Sequence, residues 1–359
     1  MSTHSPAPAL DLHTDVVSLT AALVDIPSVS HEERRIADAV EAALQRCRHL
    51  RVVRDGNTIV ARTELGLRER VILAGHLDTV PPADNLPHRI EGDVMHGLGS
   101  VDMKGGVAVA LRCAATVTEP TRETTYIFYE AEEVAEAFNG LGRLADQRPD
   151  LLSGDFAVLL EPSGAGIEAG CQGTLRVRVS TTGKRAHSAR SWMGDNAVHK
   201  LGEVLRRLNS YAAQSVEVDG LTYREGLNAV GISGGVAGNV VPDSAGVLIN
   251  YRFAPSKTPQ DALAHVAEVF AGFDMEVLDL APGARPGLGH PAAQAFVAAV
   301  GLDPRPKFGW TDVARFTALG VPAVNFGPGD PSLAHAADEH VPLEQLRFCE
   351  RTLRNWLER

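Results

Sequence analysis

The chain has 359 residues, which corresponds to about two domains at roughly 150 residues each. Hydrophobic residues make up 44% and charged residues 22%, a mixture typical of globular proteins. The 45 acidic residues outnumber the 34 basic residues, giving a net charge of −11. This excess of negative charge argues against a nucleic-acid binder, which needs a basic patch, and against binding to an anionic membrane surface.

The N-terminal residues and the cysteines indicate the cellular compartment in which we expect the protein. We expect no signal peptide, because MSTHSPAPALDLHTD has no cationic start followed by an apolar stretch. No apolar run approaches the roughly 18 residues that span a bilayer. The cysteines form no CxxC pair, which excludes a cysteine-based zinc site; they are Cys47, Cys113, Cys171 and Cys349. We therefore expect a cytoplasmic protein with reduced thiols.

Short, almost wholly apolar strands alternate with helices in the outer parts of the chain. Helices are predicted at 16–24 and 32–50, with Ser30 and Glu33 as a capping box for the second. The later elements are a strand within 70–80, a helix over 105–116, a strand running into a helix over 124–134, and strands over 155–162 and 322–330. This alternation indicates a parallel or mixed sheet covered on both faces.

The middle of the chain has a different pattern. Residues 174–183 alternate between apolar and polar, as in a half-exposed strand. The elements that follow are a helix near 195–212, strands near 227–236 and 245–253, a helix near 258–271 and a strand near 274–279. This β-α-β-β-α-β order indicates a ferredoxin-like motif, and the Pro- and Gly-rich segment 282–291 is a plausible hinge. We predict an α/β domain over 1–173 and 284–359, interrupted by an α+β insert over 174–283.

Metal-binding residue types follow the strands of the outer domain. Ligands of open α/β sheets lie beyond the carboxyl ends of strands, so five side chains are expected to converge. They are His76, Asp102, Glu133, Glu161 and His335. Imidazole nitrogens and carboxylate oxygens suit an ion of the zinc class. Five ligands are too many for one tetrahedral zinc but suit two ions that share a carboxylate, for which Asp102 on its turn is the natural bridge.

Two further carboxylates adjoin these residues. Asp78 is separated from His76 by one residue, so in an extended segment it can accept a hydrogen bond from the imidazole. Glu132 and Glu133 are adjacent and cannot point the same way. One of them can therefore bind metal while the other acts as a general base.

Each candidate has an ordinary explanation when taken alone. An HxD pair is common, a Glu-Glu pair is usually a solvated helix face, and a Glu-Pro pair is often a turn. Asp102 could cap a helix, and His335 could be a surface histidine. These alternatives weaken together, because each of five positions would need its own reason to follow a strand.

Six segments, as an ordered set, resemble the dizinc aminoacylase/carboxypeptidase superfamily. They are GHLDTVP (75–81), GLGSVDMKGG (97–106), EAEE (130–133), LEPS (160–163), GKRAHSA (183–189) and GPGDPSLAHAADE (327–339). The resemblance implies a zinc-binding catalytic domain, a ferredoxin-like dimerisation or lid domain, and two Zn²⁺ per subunit, for which Co²⁺ can substitute. Val101 and Ala131 depart from the usual pattern without removing a ligand.

The resemblance also implies a role for each metal-site residue. His76, Asp102 and Glu161 would hold one zinc ion, and Asp102, Glu133 and His335 would hold the other. Glu132 would be the general base, and Asp78 would orient His76.

The remaining implied site residues contact substrate. His187 of the insert would reach the active site of a second subunit and stabilise the oxyanion, although a histidine in a loop is common without function. The implied substrate contacts are Asn239, Arg252, Thr311 and Arg315, of which Arg315 could instead face solvent.

Within the superfamily, the whole-length pattern most resembles the actinobacterial type of succinyl-diaminopimelate desuccinylases. This implies a small anionic N-acyl amino acid substrate, N-succinyl-LL-2,6-diaminopimelate, cleaved to succinate and LL-2,6-diaminopimelate in lysine and diaminopimelate biosynthesis, by a homodimer. The alternatives are an acetylornithine deacetylase, a related N-acyl amino acid deacylase or dipeptidase, and a catalytically inactive homologue that acts as a binding dimer. A nucleotide-binding module is disfavoured, because the glycines of GLGSVDMKGG lack the spacing of a dinucleotide-binding or P-loop fingerprint.

Overall fold

The computed structural model describes residues 8–359. Within that range the α-helices are α1 (Val16–Val24), α2 (Arg34–Leu44), α3 (Lys104–Thr116), α4 (Gly140–Gln147), α5 (Ala197–Asn209), α6 (Pro259–Val269), α7 (Pro291–Val300), α8 (Val313–Ala318) and α9 (Leu343–Glu358). Polar caps define several starts: the Asp15 side chain accepts from the first amides of α1, and Thr258 with Asp261 forms a capping box on α6. None of the helices in residues 8–359 is both long and apolar enough to cross a membrane.

The strands are mostly short. They are β1 (Arg51–Asp55), β2 (Thr58–Arg62), β3 (Arg70–His76), β4 (Arg89–Glu91), β5 (Val94–His96), β6 (Glu123–Tyr129), β7 (Phe156–Leu159), β8 (Glu168–Ala169), β9 (Gly173–Thr182), β10 (Ala186–His187), β11 (Ser215–Val218), β12 (Leu221–Arg224), β13 (Gly226–Gly234), β14 (Val240–Val241), β15 (Ser244–Phe253), β16 (Asp274–Ala281), β17 (Arg305–Pro306), β18 (Ala323–Asn325) and β19 (His340–Pro342).

The chain divides into two compact units. The first contains the chain up to Ala169 together with Gly287–Arg305 and Arg315–Arg359. The second contains Gly170–Pro286 and Pro306–Ala314. The predicted insert, 174–283, falls inside the second unit, which additionally takes in the segment 306–314.

The first unit is built on a mixed sheet with the strand order β1-β2-β6-β3-β7-β18-β8-β17. The central strands β6, β3, β7 and β18 are parallel, whereas β1, β2 and β8 pair antiparallel. The parallel strands are almost wholly buried: α3 packs on β3 and β6, and α1 and α9 pack in turn on α3. Their carboxyl ends therefore share one edge of the sheet, where the predicted ligands lie.

Two predicted elements of the first unit were wrong in extent. The helix predicted over 32–50 spans Arg34–Leu44, because hydrogen bonds from the amides of Arg46 and Cys47 to carbonyls three residues earlier turn the chain after Leu44. The strand over 124–134 does not run into a helix. Ala131 has a φ of 58°, which a right-handed helix excludes, and α4 begins only at Gly140.

The predicted capping box was also wrong. Glu33 occupies the N-cap position of α2 without a side-chain cap, and its carboxylate accepts from the amides of His31 and Ala131. The Ser30 hydroxyl donates to Asp78 at 2.8 Å. Both side chains therefore support the segments around the predicted site instead of a helix end.

The second unit contains a four-stranded antiparallel sheet with the order β13-β15-β9-β16. Helices α5 and α6 pack against one face, and their Leu201 and Val266 join a buried core with Val177 and Val247 of the sheet. This is the β-α-β-β-α-β arrangement of a ferredoxin-like motif. The hairpin of β11 and β12 escaped the sequence analysis, although residues 219–220 form an Asp-Gly turn with positive φ at both positions.

Gly106 in α3 offers a test of how tightly the first unit is packed. A Cβ at this position would overlap the Leu160 carbonyl oxygen and lie 2.8 Å from the Leu160 Cβ. We expect Gly106→Ala to destabilise the protein by about 1–3 kcal/mol, measured by calorimetric or denaturant unfolding. Gly202→Ala in α5 is the matched control: nothing lies within 4 Å of its Cβ, so helix propensity predicts a gain of up to about 1 kcal/mol. Equal effects of the two substitutions would contradict this packing.

Candidate metal centre

His76 is the last residue of β3 and is almost completely buried. Its Nε2 lies 3.0 Å from Oδ1 of Asp102. Its Nδ1 lies 3.1 Å from the backbone oxygen of Asp78 and 3.4 Å from that residue's Oδ1. Burial favours the neutral ring, but the hydrogen bonds to Asp102 and Asp78 outweigh it and hold the pKa of His76 well above its ordinary value.

Asp102 lies on the turn that precedes α3, and its carboxylate faces two imidazoles. Oδ1 is 3.0 Å from Nε2 of His76, and Oδ2 is 3.5 Å from Nε2 of His335. Burial would raise the pKa of Asp102, yet the hydrogen bonds to His335 and His76 lower it below its ordinary value. Asp102 does not cap the helix, since Met103 occupies that position.

His335 and Glu133 complete a compact group. Nε2 of His335 lies 2.8 Å from Oε1 of Glu133. The hydrogen bonds to Asp102 and Glu133 raise the pKa of His335 to about 10. One ligand atom from each of His76, Asp102 and Glu133 lies within 4.8 Å of the others. These distances bring together four of the five predicted ligands.

The fifth predicted ligand, Glu161, follows β7. Leu159 of β7 is in register with Ala74 of the neighbouring parallel strand β3. The amide of Leu160 still donates to the Ala74 carbonyl at 2.9 Å, so Glu161 follows directly where the pairing with β3 ends. Glu161 is buried, with 6% of its surface exposed.

Asp78 organises the segment that carries the two adjacent glutamates. It is fully buried, and its Oδ1 and Oδ2 accept from the amides of Glu132 at 3.0 Å and Glu133 at 3.1 Å. Burial opposes ionisation, but the contact with His76 and these amides lower the pKa of Asp78. The sequence predicted a contact of Asp78 with His76 alone. In the structure Asp78 also binds the Glu132–Glu133 segment and so links that segment to the end of β3.

The other predicted site residues are divided between the two units. His187 and Asn239 are neighbours in the second unit, where the amide of Ser188 donates to the Asn239 carbonyl at 2.8 Å. Arg252 on β15 donates to Asn250, and Thr311 is buried in the same unit. Arg315 belongs to the first unit, where it pairs with Glu136 at 3.2 Å.

The chemistry of the donor set fits metal ions. Two imidazoles and three carboxylates without a thiolate are ligands of the zinc class. The two oxygens of Asp102 face different histidines, as a carboxylate shared by two ions requires. The first unit therefore contains a candidate metal site at the carboxyl edge of its sheet.

Comparison with known proteins identifies the family. A sequence profile of peptidase family M20/M25/M40 matches residues 72–359. The chain belongs to this family. The superfamily predicted from the six segments is confirmed.

Two relatives from actinobacteria match almost the whole chain. The chain is 58% identical to a Mycobacterium tuberculosis protein provisionally named succinyl-diaminopimelate desuccinylase DapE. The alignment spans 351 residues, which is 97% of this chain and 99% of the relative. Over 361 residues, 98% of each chain, this chain is 50% identical to the succinyl-diaminopimelate desuccinylase of Corynebacterium glutamicum.

A solved structure shows the same fold. The YXEP protein of Bacillus subtilis is described as a dinuclear metal-binding peptidase of the M20 family. It aligns with a TM-score of 0.70 and 15% sequence identity, over 96% of this chain and 97% of its own. The mixed α/β architecture of the M20 family is therefore confirmed for this chain.

Three supporting residues of the site were missed in the sequence. Ser30 and Glu33 were assigned to a helix cap, and Glu339 lies in the motif GPGDPSLAHAADE without an assigned role. All three hydrogen-bond to segments that carry site residues. The Ser30 hydroxyl donates to Asp78, Glu33 accepts from the amide of Ala131, and Glu339 accepts from the amides of the Asp102 turn. Their partners lie far away in sequence, so no local pattern could have revealed them.

Proposed function

We propose that this chain is a zinc-dependent amide hydrolase that cleaves N-succinyl-LL-2,6-diaminopimelate to succinate and LL-2,6-diaminopimelate. The observation that carries the chemistry is the Asp102 carboxylate, whose two oxygens face His76 and His335 separately. The substrate is proposed from the two relatives at 58% and 50% identity, whose names contain this activity.

The ligands divide into two sets around Asp102. His76, Asp102 and Glu161 would hold one zinc ion, and Asp102, Glu133 and His335 would hold the other, with Co²⁺ as a substitute. When bound, the ions would polarise the acyl carbonyl and make a nearby water more acidic. The distances among His76, Asp102, Glu133 and His335 support this division.

Glu132 is the proposed general base. Asp78 accepts from the amides of both Glu132 and Glu133, so the base candidate is held beside the proposed ligand Glu133. The Glu132 carboxylate takes a proton from the attacking water as the new C–O bond forms at the succinyl carbonyl carbon. It then delivers that proton to the leaving nitrogen as the C–N bond breaks, which yields succinate and the free amine.

His187 is the proposed hydrogen-bond donor to the carbonyl oxygen as negative charge develops there. Its Nδ1 accepts from the amide of Ala189 at 3.0 Å. In the neutral ring the proton is then on Nε2, which is left to donate. Following the family resemblance, we propose that this histidine acts on the metal centre of a second copy of the chain.

Two arginines are proposed to bind the substrate carboxylates, and they differ in their partners. Arg315 already pairs with the carboxylate of Glu136 at 3.2 Å. Arg252 donates to the neutral amide oxygen of Asn250 at 3.2 Å. The neutral Asn250 does not offset the positive charge of Arg252 as Glu136 offsets that of Arg315, although Asp279 also acts electrostatically on Arg252. Asn239 and Thr311 stay proposed substrate contacts.

The second unit is the proposed dimerisation domain, because β13 forms an edge of its sheet. Val230 and Ile232 of this strand are 57% and 63% exposed, and Val198 of α5 is 36% exposed. Ile232 is in register with the buried Val247, so it points toward the helix-covered face yet lies uncovered at the edge. An apolar edge strand of this kind is suited to pairing with a second copy.

We expect Ile232→Asp to convert the dimer to a monomer, because a carboxylate would be buried in the interface. Light scattering after size-exclusion chromatography measures the mass directly. Val277→Asp is the matched control: Val277 is 44% exposed and lies on β16, the opposite edge of the same sheet. The edge assignment is refuted if Val277→Asp dissociates the dimer and Ile232→Asp does not.

Replacing the adjacent glutamates separates their proposed roles. We expect Glu132→Gln to keep zinc stoichiometry while turnover falls about 10²- to 10⁴-fold, because only the proton acceptor is lost. Glu133→Gln should instead weaken zinc binding, since it removes a ligand. Metal analysis and steady-state kinetics of both variants provide the measurements. Wild-type turnover in Glu132→Gln would exclude it as the base.

A substrate panel tests the proposed specificity. We expect the zinc-loaded protein to show its highest kcat/KM with N-succinyl-LL-2,6-diaminopimelate, compared with N-acetylornithine and simple dipeptides. Higher efficiency on either of the others would assign the chain to that activity. A chain that lacks zinc and hydrolyses none of them would be an inactive homologue.

A further inference from the structure

Glu339 is surrounded by the amides of the turn that carries Asp102. Its Oε2 accepts from Gly99 at 3.0 Å, and its Oε1 accepts from Val101 at 2.8 Å and from Asp102 at 3.1 Å. Its backbone carbonyl accepts from Gly97 at 3.1 Å. One buried residue, 1% exposed, therefore receives four hydrogen bonds from a six-residue turn.

Glu339 is also tied to the other ligand segment. It follows His335 by four residues, and its amide donates to the Ala336 carbonyl at 3.1 Å. The next residues form β19, which pairs with β5. Glu339 thus connects the His335 loop to the Asp102 turn, and the pairing of β19 with β5 holds the chain directly after it in place.

A buried lysine lies near this carboxylate. Lys104 is the first residue of α3, is 1% exposed, and interacts electrostatically with Glu339. Its ammonium donates to the Ile26 carbonyl at 2.8 Å. Burial raises the pKa of Glu339 and lowers that of Lys104 to about 7, whereas the three amide donors favour the Glu339 carboxylate.

We propose that Glu339 is a positioning residue that sets the Asp102 carboxylate between the two histidines. The inference rests on the proposed function, since it concerns the proposed metal ligands. A carboxylate can accept from amides on both of its oxygens, whereas the NH₂ group of a glutamine would face an amide donor on one side. The turn would then shift, and Asp102 would no longer present its oxygens to both ions.

Glu123 provides a matched control in the same unit. It is 4% exposed and accepts from the amides of Leu65 and Gly66 at 2.6 Å and of Leu67 at 3.2 Å. It is the first residue of β6, at the opposite end of the strand from Glu132 and Glu133. Glu123 therefore has the same burial and the same kind of hydrogen bonds without a connection to a proposed ligand.

The experiment compares full-length wild type, Glu339→Gln and Glu123→Gln. Metal-stripped protein is titrated with zinc against a chromophoric chelator, the visible spectrum is recorded after loading with Co²⁺, and folding is monitored by circular dichroism. We expect Glu339→Gln to weaken zinc affinity about 10- to 100-fold and to alter the cobalt bands. Glu123→Gln should keep the wild-type zinc affinity and cobalt spectrum, even if its melting temperature falls as much as that of Glu339→Gln.

The outcomes distinguish the two proposals. Wild-type zinc affinity and an unchanged cobalt spectrum in Glu339→Gln would overturn the positioning role. A wild-type chain that binds zinc but leaves N-succinyl-LL-2,6-diaminopimelate intact would overturn the proposed substrate, and the comparison of variants would still decide the role of Glu339. A wild-type chain without zinc affinity would overturn both. If Glu339→Gln does not fold, Glu339→Asp decides, because its shorter side chain keeps the charge but withdraws it from the turn.

Discussion

The Asp102 carboxylate between two imidazoles is the interaction on which the site depends. A carboxylate that is removed from water needs partners for its charge, and His76 and His335 approach it from different sides. His76 is the last residue of β3, and His335 lies in the loop that follows β18. Both reach Asp102 because the carboxyl ends of these parallel strands share one edge of the mixed sheet. The order of the strands therefore decides which charged side chains come together at the site.

Buried carboxylates and backbone amides maintain that geometry. Asp78 binds the amides of Glu132 and Glu133, Glu33 binds the amide of Ala131, and Glu339 binds three amides of the Asp102 turn. These amides belong to irregular segments, which no hydrogen bonds of a helix or sheet hold in place. Side-chain acceptors take over the role of secondary structure here, which explains why these loops can hold ligands in place without becoming regular elements.

The sequence predicted the parts of the structure that depend on local pattern. Apolar runs identified the central strands, and residue types after those strands identified four side chains that the structure brings together. The errors arose where a distant partner decides the local conformation. Ser30 and Glu33 fit the spacing of a capping box, but Asp78 and Ala131 are their actual partners. The role of Glu339 depends on a turn more than 230 residues earlier, as the separations of its hydrogen bonds show. The domain boundaries and the substrate contacts stay predictions.

The net charge of −11 now has a more specific meaning. Three of the 45 acidic residues, Asp78, Asp102 and Glu339, are buried or partly buried and bind amides or imidazoles, so they do not act as free surface charges. The proposed substrate carries several carboxylates, so it has to approach a protein of the same overall sign. Attraction must therefore be local and short-ranged, since ordinary salt screens charges beyond about 10 Å. The proposed sources of such a local field are the metal ions and Arg252, whose hydrogen-bond partner is neutral, whereas Arg315 is already paired with Glu136. On this ground we propose Arg252 as the stronger determinant of selection for an anionic acyl group.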